Sequence, residues 1–214
     1  FEMNTLIIGA RGQIGKMTTQ KMLSEGNDVV ALVRDKNKLA GIEHNNLTIV
    51  EQDLENDFSR AFEGIEQVIF SAGSGGATGA DKTLLIDLWA AVKAINYAVD
   101  AKVNHFIMVS SIGADAPDNI ESSIKPYLVA KHMADQHLIQ SGLNHTIIRP
   151  GTLLDDKATG VFTTTRPATR QDAVINREDV ADALVYIATK ESKNSQVFEL
   201  FNGDKPLNEL PAFN

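Results

Sequence analysis

Residues 5–15 read Thr5-Leu6-Ile7-Ile8-Gly9-Ala10-Arg11-Gly12-Gln13-Ile14-Gly15, a short apolar strand running into three glycines at three-residue steps. A helix-forming segment from about Ile14 to Leu23 follows. Strand, glycine turn and helix in that order suit a pyrophosphate: the chain must turn sharply, its backbone must come close to the phosphates, and the helix must pack tightly on the strand. The helix start then aims its free N–H groups and the positive end of its dipole at the anion. Gly9, Arg11, Gly12, Gln13, Ile14 and Gly15 are therefore candidate dinucleotide ligands. The alternative is that the glycines serve only a tight turn.

Beyond this turn, apolar strand-length runs alternate with helix-length amphipathic segments. The expected strands are Thr5–Ile8, Asp28–Val33, Thr48–Glu51, Gln67–Ser71, His105–Ser110, Asn144–Arg149 and Val197–Phe201. Several are apolar throughout, as strands covered on both faces are, and the alternation implies parallel βαβ units in an α/β fold. Between the fourth and fifth strands, Leu84, Leu88, Val92, Ile95 and Val99 recur at three- and four-residue steps, with Leu85 and Trp89 widening the stripe. This predicts a helix that packs the stripe on the sheet, with a dimer contact as a second use of so wide a face. After Gly151, residues 152–176 break the alternation and read as an extended substrate-side lid, in which Arg166 and Arg170 either bind an acidic group or are solvated or salt-bridged. Asn176 then stands as an N-cap for a helix that buries Val180, Leu184 and Ile187.

Composition sets outer limits. A chain of 214 residues suits one domain, residues 1–214. A net charge of −8 with no basic tract argues against nucleic acid or an anionic membrane as the main partner. The absence of a long apolar run or signal-like start gives a cytoplasmic expectation. With no cysteine there is no disulfide and no thiolate chemistry. Phe1 and Glu2 precede Met3 and read as an appended remnant. The five histidines, His44, His105, His132, His137 and His145, lack metal-ligand spacing, so no metal site is expected.

The end of the second strand bears on the cofactor. NAD-binding folds usually place a carboxylate there for the ribose hydroxyls, whereas here Val33 is followed by Arg34. With Arg11, Lys36 and Lys38 nearby, a 2′-phosphate finds cations, which favours NADP(H). The alternatives are a solvated basic turn, or NAD held through Asp35. Asp53 follows the third strand and either accepts from an adenine amino group or caps the next short helix.

Taken together, GARGQIG (9–15), VRD (33–35), QDL (52–54), SAG (71–73), VSSIGA (109–114), YLVAK (127–131), IIRPG (147–151) and NREDVA (176–181) resemble the short-chain dehydrogenase/reductase superfamily. The likeness spans nearly the whole chain. It is to the small atypical branch with NmrA-like and biliverdin-reductase-B or flavin-reductase-like members. It implies a doubly wound, mainly parallel Rossmann sheet with helices on both faces, with the nicotinamide over the C-terminal ends of the fourth to sixth strands. It also implies that Leu54 in QDL joins Asp53 on the cofactor, that Ser71, Ala72 and Gly73 lie beside its ribose, and that Pro150 and Gly151 lie near the nicotinamide.

Tyr127 and Lys131 stand one helical turn apart, so the ammonium is placed to stabilise a phenolate and lower the tyrosine pKa. Such a tyrosine can give a proton to a carbonyl oxygen as hydride arrives. Ser111 is preferred over Ser110 as the serine that would bond that oxygen, although the sixteen residues from Ser111 to Tyr127 exceed the usual interval in such enzymes. The competing expectations are that Lys131 holds only the nicotinamide ribose, and that hydride passes to a stacked acceptor without a catalytic tyrosine. The sequence thus reads as an NADP(H)-dependent oxidoreductase acting on a carbonyl, quinone-like or flavin-like small-molecule acceptor, as monomer or homodimer. A non-catalytic redox sensor and a nucleotide-sugar epimerase or dehydratase are the alternatives.

Overall fold

The computed structural model describes residues 3–75 and 77–213; Phe1 and Glu2 lie outside them. Among the described residues there are ten strands: β1 (Thr5–Ile8), β2 (Val29–Val33), β3 (Leu47–Glu51), β4 (Gln67–Phe70), β5 (His105–Val109), β6 (His145–Pro150), β7 (Thr152–Leu154), β8 (Phe162–Thr163), β9 (Val174–Asn176) and β10 (Gln196–Asn202). The main sheet has the order β3-β2-β1-β4-β5-β6-β10-β8. Every pairing in it is parallel except that of β8 with β10. The seven expected strands are all found, within two residues at their ends. Strand pairs β7 and β9 form a separate small parallel sheet inside the expected excursion.

Two apolar layers cover the sheet. Ile7, Ile69, Ile107 and Ile148 face α1 (Gln13–Ser24) and α5 (Arg177–Thr189). Alternate residues Leu6, Ile8, Val68, Phe70, Phe106, Met108 and Ile147 face the opposite side, where α3 (Ala91–Asp100) and α4 (Lys125–Gln140) pack. The fold is therefore the doubly wound Rossmann type. Val180, Leu184 and Ile187 are buried as expected.

The helix after β4 departs from the expected stripe. It runs from α2 (Ala80–Lys82) through eight residues of π-helix, Thr83–Ala90, into α3. Its inward face is Thr83, Asp87, Ala90, Ala91, Ala94, Ile95 and Ala98, while Leu84 is 56% and Trp89 52% exposed. Of the predicted core positions only Ile95 is fully buried. A π turn holds more residues than an α turn, so a stripe counted at α spacing rotates away from the sheet. The alanines that replace it allow close approach of helix to strand.

Candidate dinucleotide site and the α4 cluster

In a doubly wound sheet, a crevice opens at the strand ends where the winding direction reverses. Here that point lies between β1 and β4, and the loops after both strands meet there. Gly9 has φ +87°, and a Cβ on it would sit 2.6 Å from the Ala72 backbone nitrogen. A Cβ on Gly15 would sit 2.1 Å from the Gly9 carbonyl oxygen and 2.9 Å from Ser71 Oγ. These two glycines are demanded by chain packing alone. Gly12 is different: it is exposed, and its nearest neighbour would be the Gly9 carbonyl at 3.4 Å. It caps α1, whose first turn carries no acidic residue, so the positive helix end faces open space. Glycine is thus kept where backbone would have to meet a phosphate, and the cradle fits a dinucleotide.

A cavity of about 560 Å³ extends from this cradle and is lined by Gly9, Arg11, Gly12, Gln13, Arg34, Asp53, Leu54, Ser71, Ala72 and Gly73 among the expected residues. Ile14 and Gly15 lie behind it, within α1. Pro150 and Gly151 are buried and do not line it; a Cβ on Gly151 would meet the Ala173 carbonyl at 2.5 Å and the Phe201 ring at 2.7 Å, so its smallness serves packing of β6 against the excursion. The sequence reading missed Lys82 and Glu55, which pair at 2.7 Å on the cavity wall. Lys93 reinforces that wall by donating to the Leu54 and Asn56 carbonyls at 2.7 and 2.8 Å.

At the end of β2, Arg34 is three-quarters exposed, and its Nε lies 3.8 Å from Asp53. Asp53 Oδ1 accepts from the Glu55 backbone, so its turn-capping role is present in the structure. Asp35, the alternative ribose ligand, is committed elsewhere: its Oδ1 accepts from the Asn37 backbone at 3.0 Å and caps the turn Lys36–Leu39.

Tyr127 and Lys131 fall on one face of α4, away from the cavity's lining. Lys131 is buried, and no hydrogen bond of its ammonium is found among the described residues. The effect on Tyr127 is opposite to expectation. Burial first, then the Asp87 and Asp135 carboxylates, push the phenol well above its ordinary range, so it is a neutral hydroxyl at any working pH. Burial is the larger cause, and each carboxylate destabilises the phenolate further. Burial also lowers Lys131, against which Asp135 and Asp87 act.

Ser110 and Ser111 part company at the end of β5. Ser110 is buried on the α4 side and donates to Asp135 Oδ2 at 2.7 Å. Ser111 is partly exposed and donates to the Ile112 carbonyl at 3.0 Å, with no hydrogen bond to Tyr127. Asp87 accepts from the backbone and hydroxyl of Ser74, at 3.3 and 2.7 Å. These buried acids had no signal in the sequence.

The excursion is anchored. Asp179 accepts from the Thr159 and Gly160 backbones at 3.0 Å and from Asn202 at 2.8 Å, and Glu178 accepts from Ala158. Asn176 occupies the N-cap position of α5, but its side chain makes no capping bond and instead donates to the Lys157 carbonyl and Asp179. Arg166 is paired with Glu199 and Asp115, which favours the salt-bridged reading of that residue. Gln13 reaches across the crevice to Asp155 at 3.4 Å, and Arg177 holds Asp155 at 2.7 Å. Among the described residues there is no cluster of metal-ligating side chains, and no helix is long and apolar enough to cross a membrane.

A family described as NAD(P)H-binding matches residues 9–191, a span that starts at the first glycine of the cradle. The chain belongs to the NAD(P)H-binding family. Among relatives, the Bacillus subtilis protein named uncharacterized sugar epimerase YhfK is 38% identical over 211 residues, covering 97% of this chain and 98% of its own. The structure of the oxidoreductase ylbE from Lactococcus lactis superposes with a TM-score of 0.85 at 28% identity, over 97% of this chain and 94% of that one. ChuY, an anaerobilin reductase from Escherichia coli O157:H7, superposes with a TM-score of 0.77 at 25% identity, over 95% and 99%. For this NAD(P)H-binding protein, the expectation of an atypical, NmrA-like branch is met.

Proposed function

We propose that the protein is an NADP(H)-dependent oxidoreductase that passes hydride to a carbonyl, quinone-like or flavin-like acceptor. The observation that carries the cofactor preference is the state of the two residues after β2: Arg34 lines the cavity three-quarters exposed, 3.8 Å from Asp53, while Asp35 Oδ1 accepts from the turn Lys36–Leu39. A guanidinium there favours a 2′-phosphate, and a carboxylate engaged in capping a turn is a poorer ribose ligand. Arg11 lines the same cavity. The bound dinucleotide supplies the hydride, and the protein supplies orientation and a proton source. Neutral Tyr127 suits the direction in which a hydroxyl gives its proton to a reduced acceptor. The names of ylbE and ChuY agree with this class.

The test is fluorescence titration with NADPH and NADH, followed by an acceptor panel of quinones, flavins and aldehydes added to the NADPH complex. Tighter NADPH binding, lost selectively in Arg34→Ala, and acceptor-dependent oxidation that fails in Tyr127→Phe are expected. Equal affinity for both cofactors would remove the NADP assignment, and turnover unchanged in Tyr127→Phe would remove its proton-donor role. The name of YhfK favours a second reading, an epimerase in which hydride leaves and returns to one sugar nucleotide. That reading calls for isomerisation of a nucleotide sugar with no net NADPH loss.

A further inference from the structure

Charged side chains from three elements converge on the α4 side of the sheet. Lys131 and Asp135 come from α4, Arg149 from β6 and Asp87 from the π-helical stretch, with the Tyr127 hydroxyl beside them. Asp135 is wholly buried. Its Oδ2 accepts from Ser110 Oγ at 2.7 Å and from Arg149 Nε at 3.2 Å, while its Oδ1 has no partner among the described residues. Lys131, one turn earlier on the same helix, is only 2% exposed. The carboxylate is thus incompletely satisfied, and spacing i to i+4 puts it on the same face of α4 as the buried lysine.

A buried ammonium either loses its proton or keeps it through nearby negative charge. Two carboxylates face Lys131. Asp87 accepts from Ser74 through Oδ2, and Asp135 from Ser110 and Arg149 through Oδ2; Asp135 Oδ1 is the one that is buried without a partner among the described residues. Asp135 also ties together the C-terminal ends of β5 and β6, the edge on which the glycine cradle lies.

We propose that Asp135 is the positioning residue of this site: its carboxylate keeps the Lys131 ammonium charged within the core and, through Ser110 and Arg149, fixes the ends of β5 and β6. It acts through Lys131 and touches no reacting atom. The proposal rests on the oxidoreductase reading only for its effect on turnover.

The Lys131 proton is read directly from the ¹³Cε resonance of the lysine in the cofactor-free protein, assigned with Lys131→Met. In Asp135→Asn, which preserves side-chain shape, the midpoint is expected to fall by about one pH unit or more. Coupling is mutual, so in Lys131→Met the Asp135 carboxyl carbon should titrate at higher pH than in the unaltered protein. This second variant replaces a buried side chain by an apolar one of similar length and gives an answer even if Asp135→Asn fails to fold. In acceptor-dependent NADPH oxidation, the alkaline limb of kcat in Asp135→Asn should move down together with the lysine midpoint, with cofactor binding retained at acid pH. An unmoved lysine midpoint in folded Asp135→Asn, or an unmoved Asp135 in Lys131→Met, overturns the proposal. A shifted lysine midpoint in a protein that reduces no acceptor defeats the oxidoreductase reading and leaves the role of Asp135 standing.

Discussion

Gly12 and Gly15 separate two meanings of glycine within one turn. A methyl group on Gly15 would collide with the Gly9 carbonyl, which is backbone and cannot swing away, so Gly15→Ala should lose about 1–3 kcal/mol of stability in urea unfolding. Gly12→Ala meets only one ordinary contact and should leave stability within about 0.5 kcal/mol. If the turn holds a pyrophosphate, Gly12→Ala nevertheless weakens NADPH binding; unchanged affinity would reduce the glycines to turn formers. His105 supplies a second test at this scale. It is fully buried between Gln67 and Thr146, and burial pushes its pKa down to about 3. The unfolded histidine takes up a proton near pH 6.5. Unfolding therefore binds a proton between about pH 6.5 and 3, and stability falls as pH drops through that window. The urea midpoint measured against pH should decline less steeply in His105→Gln. The cradle was legible in the sequence because glycine geometry is local. Asp87 and Asp135 were not, because their burial is created by the packing of helices that lie far from the cradle in the chain.

At the scale of elements, alternation of apolar runs was enough to place seven parallel strands, since a strand covered on both faces leaves a continuous apolar signature. Helix faces were harder to read. The π-helical stretch turns Leu84 and Trp89 outward and Asp87 inward, and no count at α spacing can find that. The excursion, expected as a lid, is held at its base chiefly by Asp179, with Glu178 beside it. Asp179→Ala would strand the Thr159 and Gly160 amides and the Asn202 side chain, at a cost of roughly 2–4 kcal/mol. Hydrogen exchange at Thr159 and Gly160 should accelerate, with strands β1 and β4 still protected. Equal protection in the variant would show that β8 and β10 hold the segment without Asp179.

For the molecule as a whole, the cavity walls come from the loops after β1, β2, β3 and β4, so a ligand there bridges half of the main sheet. Anything that binds only the folded form stabilises it by mass action, about 2.7 kcal/mol at one hundred times its dissociation constant. NADPH should therefore raise the melting temperature in a concentration-dependent way, and an unmoved melting temperature would show that NADPH does not bind the folded form. The same layout has a consequence for change over time. Every residue on the cavity wall precedes position 87, and the α4 cluster and the excursion come almost wholly after position 105. The chain thus contains a seam along the β4–β5 boundary, and heritable variation on the far side of it can reshape the α4 cluster and the excursion while the walls of the cavity are passed on unaltered.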